Sequence, residues 1–259
     1  MIFYDCPTAP SPRRARILLA EKNAEFETIN IDLANSEQLS DSYKAINPRC
    51  TVPALQLESG TVLTENAGIA AYLEARYPDN PLLGTNPEEK GLIAGWTASI
   101  EFDGLFAVAE ALRNSSPGLA NRAITGPDNY PQIPLLAERG LLRLKLFFER
   151  LNAHLRNRDY VVGDNFSNAD ITAVVATDFA RIVKVRPLDE HEEISRWRNQ
   201  LNVRPSLSLW MAWRVNSFYV KARWWYDFAG YTTLSDSVGS KNSDMAWIFS
   251  AISSSSSEK

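Results

Sequence analysis

The chain has 259 residues, 45% of them hydrophobic and 22% charged, with a formal net charge of −4. That length buries an ample core as one large domain or two modest ones, and the acidic balance gives no general attraction to nucleic acid or to an anionic membrane. Two cysteines, Cys6 and Cys50, and two histidines, His154 and His191, are too few and too scattered for a disulfide framework or a protein-built metal site. The start MIFYDCPTAP lacks a basic region followed by a long apolar run, and no segment reads as the roughly 20 apolar residues that span a bilayer. With both thiols reduced, the expectation is a cytoplasmic protein without nucleic-acid or membrane partners.

In chain order, Ile2-Phe3-Tyr4 starts a strand and Pro12 to Lys22 is a helix, with Ser11 as N-cap and Pro12 at the first helical position. EFETINI (25 to 31) alternates apolar and polar residues, which predicts a half-buried strand. The polar segment 32 to 47 has room for a short helix. VPALQL (52 to 57) and TVL (61 to 63) are strands joined by an ESG turn, and Asn66 to Arg76 is a helix with Ile69, Tyr72 and Leu73 on one face. The order β-α-β-α-β-β-α fits a right-handed parallel crossover followed by an antiparallel hairpin. YPDNPLLGTNP then carries three prolines and a glycine and reads as a linker, placing a first domain at 1–78 and the linker at 79–87.

Beyond it strand patterns vanish. Helices are expected over 88 to 113, 134 to 157, 168 to 183 and 189 to 202, an all-α domain spanning 88–206. FSNADI (166 to 171) carries a capping box, Ser167 with Asp170, and a hydrophobic staple of Phe166 on Ile171. The segment 207–259 differs in composition: five of the seven tryptophans and a run of five serines lie there, and the chain from Ser235 is expected to be mobile.

Three short stretches carry candidate chemistry. In TVPAL a proline opens a strand, and a cis Val52–Pro53 bond would leave Val52's N–H and C=O to pair with an extended ligand; an ordinary trans edge strand is the plainer reading. In TEN (64 to 66) the helix start suits a carboxylate, with Glu65 as acceptor for an ammonium group and Asn66 either capping the helix or offering its amide to a ligand. In DCPTAPSP the Ser11 hydroxyl either caps the first helix or donates to an incoming thiolate.

Together, INPRCTVPAL (46 to 55), TENAGIAAYLEARYP (64 to 78), the helical second half and FSNADITA resemble a cytosolic glutathione S-transferase of bacterial type, through about Ser206. The resemblance implies a thioredoxin-like N-terminal domain, an all-α C-terminal domain, a homodimer, and glutathione as co-substrate. It implies that Val52 pairs with the cysteinyl backbone of glutathione, that Pro53 is the family's cis-proline, and that Glu65 and Asn66 hold the γ-glutamyl group, with asparagine where the family has serine. It puts Ser11 near the glutathione sulfur as the catalytic hydroxyl. Different registers of the following R-x-R-I move that position among Ala9, Pro10 and Ser11, with Thr8 as a further candidate and Cys6 as a thiol alternative; Cys50 reads as a packed thiol.

The implied reaction is conjugation of the glutathione thiolate to a small, mostly apolar electrophile. That electrophile would lie between the domains, against the helix near Trp96 to Phe106 and the loop at 114 to 134. Asp103 on that helix reads as a solvated charge, with a reach to glutathione across a dimer as the alternative. The same thiolate serves ether cleavage, dehalogenation and isomerisation, and the scaffold also serves non-catalytic glutathione-binding proteins.

Overall fold

The apolar start of the chain forms β1 (Ile2–Asp5), with Phe3, Tyr4 and Asp5 all buried. In this computed structural model, which describes residues 1–207, β1 pairs in parallel with β2 (Glu27–Asn30) across helix α1 (Pro10–Glu21). On its other side β1 pairs antiparallel with β3 (Ala54–Gln56), and β3 with β4 (Val62–Leu63), giving the strand order β2-β1-β3-β4. Helix α2 (Asp41–Lys44) lies between β2 and β3, and α3 (Asn66–Arg76) buries Ile69, Ala70 and Leu73. The expected β-α-β-α-β-β-α order is therefore present. β2 corrects one detail: it is an outer strand exposed at all four residues, and only the following Ile31 is buried. Alternation in EFETINI marked the strand without revealing that its lateral position leaves both faces uncovered.

The chain leaves α3 through residues whose carbonyls are gathered by Lys22, which donates to Tyr77 and Asn80 at 2.9 Å each and pairs with Glu74 at 2.6 Å. The helices that follow are α4 (Pro87–Ile100), α5 (Phe106–Arg113), α6 (Pro134–His154), α7 (Asn168–Phe179) and α8 (Glu192–Leu201). A π-helical turn, Glu101–Leu105, joins α4 to α5. The resulting helix, Pro87–Arg113, is long and apolar enough by length and composition to cross a membrane. That corrects the expectation of no such segment: Leu, Ile, Phe and Val side chains spread along the helix supply its apolar character without forming a continuous run, a pattern that the core helix of a soluble protein also shows.

α7 is the buried axis of the helical part. Its capping box forms as expected, with Asp170 accepting from the Ser167 N–H at 3.0 Å. The same carboxylate also accepts from the Val161 N–H at 2.9 Å and the Trp197 indole at 3.1 Å. Burial pushes its pKa up against these donors. The close approach of α5 and α6 depends on Gly140, where a Cβ would fall 2.7 Å from the Ala107 carbonyl oxygen and 2.8 Å from the Ala111 nitrogen.

α1 joins the sheet to the helices through charge. Arg13 pairs with Asp178 of α7 at 2.8 Å, and Arg198 of α8 meets the same carboxylate at 3.0 Å. Arg14 pairs with Glu101 of the π turn at 2.6 Å, and Arg16 with Asp5 at 3.0 Å. At the far end of α1, Glu21 receives Arg204 at 2.8 Å and the Ser206 hydroxyl. Residue 207 therefore sits about 15 Å along α1 from Ser11, at 1.5 Å per residue. The Trp- and Ser-rich extension beyond it lies outside the described residues.

Two outcomes test this packing. Gly140→Ala forces two backbones apart and is expected to cost about 3 kcal/mol, read by chemical denaturation. For Asp178, burial alone would raise the pKa, but Arg13 and then Arg198 outweigh it and hold the carboxyl below its usual range. A depressed carboxyl contributes fully above the unfolded value of about 3.9 and loses that contribution as pH falls toward the folded value. Asp178→Asn is thus expected to cost about 3 kcal/mol at neutral pH, a difference from wild type that shrinks below about pH 4.

Candidate active site

The sheet register brings the three stretches together. The β1–β3 ladder ends at Tyr4 opposite Ala54, so Asp5–Cys6 and Val52–Pro53 adjoin the same end of the sheet. β3 and β4 pair through Leu55 opposite Leu63, so Thr64 and Glu65 leave from that end as well. The ends of β1 and β4 and the start of β3 thus share one edge of the sheet, about 10 Å wide at 4.8 Å per strand.

At β1's end the chain turns through Cys6 to Ala9, closed by the Ala9 N–H on the Cys6 carbonyl at 3.0 Å. Arg16 clasps this turn, pairing with buried Asp5 and donating to the Pro7 carbonyl at 3.2 Å. Burial raises the Asp5 pKa, opposed by the Arg16 charge. The helix start differs from expectation: α1 begins at Pro10 with Ala9 as the capping residue, and no side chain caps it. Ser11 is therefore not the N-cap but the second helical residue. Two prolines satisfy the first-turn preference equally, and the chain uses the earlier one.

This shift has a chemical consequence. Pro10 and Pro12 have no N–H, and the Arg13 N–H already reaches the Ala9 carbonyl at 3.4 Å. Among the described residues, the Ser11 N–H and hydroxyl are without hydrogen-bond partners at the positive end of the helix. Thr8 is exposed, and its hydroxyl meets the buried Cys6 sulfur at 3.5 Å.

The Val52–Pro53 bond is cis. Val52's N–H and C=O pair with no backbone group among the described residues. The loop before it is held by Asn47, a fully buried side chain that sequence reasoning passed over. Its amide donates to the Thr51 carbonyl at 2.7 Å and its oxygen accepts the Arg49 N–H at 3.0 Å. Tyr43 donates to the same carbonyl at 2.7 Å, and burial pushes its phenol up to about 12, so it stays a donor at neutral pH. Cys50 is buried here in the left-handed region at φ 54°.

At α3, Glu65 is the capping residue but its side chain accepts no first-turn N–H, and Asn66 is the first helical residue. Asn66 thus does not cap the helix. It is buried, and its Oδ1 has no partner among the described residues. Glu65 is exposed and faces Arg49 at 3.2 Å, an ion pair joining the loop before Val52 to the start of α3.

Asp103 is partly exposed, as a helix-surface charge, and pairs with Arg143 at 3.6 Å and Arg150 at 3.5 Å. A groove of about 430 Å³ between α4 and α6 is lined by Trp96, Asp103, Phe147 and Arg150 among others, and by no residue of the sheet edge.

Residues 8–76 match the model of the glutathione S-transferase N-terminal domain, and residues 135–205 match that of its C-terminal domain. Glutathione S-transferase 2 of Saccharomyces cerevisiae is 34% identical over 217 residues, covering 80% of this chain and 88% of that protein. The crystal structure of Gtt2 from the same yeast superposes with a TM-score of 0.73 at 33% identity, over 81% of this chain and all of that one (100%). A glutathione S-transferase domain-containing protein of Marinobacter aquaeolei gives 0.73 at 30% identity, over 80% of this chain and 100% of its own. Matched at this identity over most of both chains, the protein belongs to the glutathione S-transferase family.

Proposed function

We propose that this chain conjugates the thiolate of glutathione to a small, mostly apolar electrophile, and that Ser11 holds the thiolate while Val52, Pro53, Glu65 and Asn66 form the glutathione seat. The observation that carries this reading is the meeting, at one sheet edge, of the unpaired groups of Ser11, Val52 and Asn66 with the exposed carboxylate of Glu65. Val52 offers a donor and an acceptor to the cysteinyl backbone. Glu65 offers a carboxylate to the γ-glutamyl ammonium, and Asn66 with the first turn of α3 offers donors to its carboxylate. An edge about 10 Å wide suits an extended tripeptide running from Glu65 to Ser11.

Ser11's hydroxyl and N–H stabilise the charged form of the bound thiol, with the helix end adding positive potential. The sulfur lone pair then forms the C–S bond and the electrophile's leaving group departs with its electron pair, so no protein cysteine is consumed. A homodimer is part of the same reading: Leu92, Phe102, Phe106, Leu142 and Leu146 are exposed on α4, the π turn, α5 and α6, a large apolar surface for a monomer. So are a cytoplasmic location and a detoxifying role, for which the reaction itself is the support.

Ser11→Ala is expected to be retained on glutathione-agarose while kcat/KM for 1-chloro-2,4-dinitrobenzene falls about 10²-fold, the usual loss of one oriented donor. Thr8→Val is expected to stay within about twofold of wild type. The reverse pattern would move the role to Thr8. Asn47→Ala removes one of the two donors to the Thr51 carbonyl and the acceptor of the Arg49 N–H, and is expected to weaken glutathione binding about tenfold by calorimetry, near 1.4 kcal/mol.

A further inference from the structure

The loop between α5 and α6 comes close to the glutathione edge. A Cβ on Gly126, at φ 128°, would lie 3.7 Å from the Arg49 carbonyl oxygen, so the loop tip lies within about one side-chain atom of the segment that carries Arg49 and Val52. The loop is pinned at its base: the Asn114 side chain accepts the Ile133 N–H at 3.0 Å, and Gln132 donates to the Arg113 and Ser116 carbonyls at 2.8 Å each.

Two arginines organise it from within. Arg122 donates to the Gly126 carbonyl at 2.5 Å, and to the Asp128 carbonyl and the Asn129 side chain at 3.1 Å each. Arg113 reaches the Ile124 carbonyl at 3.4 Å, while its buried Nε has no partner among the described residues. Neither guanidinium pairs with a carboxylate among those residues, whereas Arg13, Arg14 and Arg16 each do. Burial and then the charge of Arg122 push Arg113 below its usual range, which marks two half-buried like charges acting on one another. The C-terminus of α5 offsets part of Arg113's charge and none of Arg122's. Neutral donors would serve the loop carbonyls equally well. Ile124 and Tyr130 are exposed on the same loop.

Building on the transferase reading, we infer that Arg113 and Arg122 are specificity residues of the second-substrate site, selecting electrophiles that carry a carboxylate or sulfonate on an apolar, aromatic body. The anion supplies the counter-charge the pair lacks, and Ile124 and Tyr130 receive the body. This narrows the electrophile from mostly apolar to amphiphilic and acidic.

The test compares 4-chloro-3,5-dinitrobenzoate with its primary amide, each enzymic rate divided by that substrate's uncatalysed rate with glutathione so that the different activation of the two rings cancels. In both, the thiolate forms a C–S bond at the chlorine-bearing carbon and chloride leaves with the bonding pair. Wild type is expected to favour the benzoate about tenfold in kcat/KM so normalised. That ratio is expected to fall toward one in Arg113→Gln, which keeps Arg122's loop contacts, and in the Arg113→Gln, Arg122→Gln double variant, and to be partly kept in Arg113→Lys. Calorimetry with the two preformed glutathione conjugates reads the same preference without turnover. Equal normalised wild-type rates and equal conjugate affinities overturn the inference, as does a variant that lowers both substrates alike. If glutathione is retained but neither conjugate binds, this inference fails alone. If glutathione is not retained, the transferase reading fails with it.

Discussion

Helix α1 is the member on which the site depends, and it is held by ion pairs that span the protein. Arg13, Arg14 and Arg16 crowd its first two turns, where a helix dipole disfavours positive charge. Each is stabilised by a carboxylate from a different element: Asp178 of α7, Glu101 of the π turn and Asp5 of β1. The arrangement fixes the start of α1 against both the sheet and the helices. Ser11, between two prolines that contribute no N–H, is left as the polar point at that helix end.

The same economy governs the other side of the site. Val52's backbone groups stay unpaired because the loop before it closes on itself through Asn47 and Tyr43, which both donate to the Thr51 carbonyl at 2.7 Å. The polar groups of the loop are consumed next to the ligand edge, so those at the edge remain available. A buried donor or acceptor left unmade costs about 1–3 kcal/mol, and this places Asn47 among the residues that shape the site without touching the ligand.

Much of this was legible in the sequence where it rests on local pattern. The strand and helix order and the Ser167–Asp170 capping box follow from short stretches with specific chemistry, whereas the residues around Val52–Pro53 read more plainly as trans and only the family resemblance implied the cis bond that forms. The candidate site residues came from the joint motif, and the ladders end so that the segments carrying Cys6, Val52 and Glu65 adjoin one end of the sheet. What stayed hidden depends on distant partners. Arg13 and Asp178 are 165 residues apart in the chain. The SPRRAR stretch showed basic residues but not the three carboxylates that justify them. The start of α1 moved by two residues because Pro10 and Pro12 are locally equivalent. Asn66 looked like a cap and is a first-turn residue, since the capping backbone geometry falls on Glu65. The loop at 114 to 134 showed only turn-forming composition, and its arginines gain meaning through the close approach of Gly126 to the Arg49 carbonyl.

The central claim is that Ser11, at the α1 terminus, steadies a thiolate the protein does not supply. The most direct measurement is the pH titration of thiolate absorbance for glutathione bound to the full chain, in wild type and Ser11→Ala. The account predicts a bound thiol ionising at least about one unit below a free thiol's 8.5 in wild type, and returning near that value in the variant. A bound thiol that titrates near 8.5 in wild type, or one equally depressed in Ser11→Ala, would contradict it.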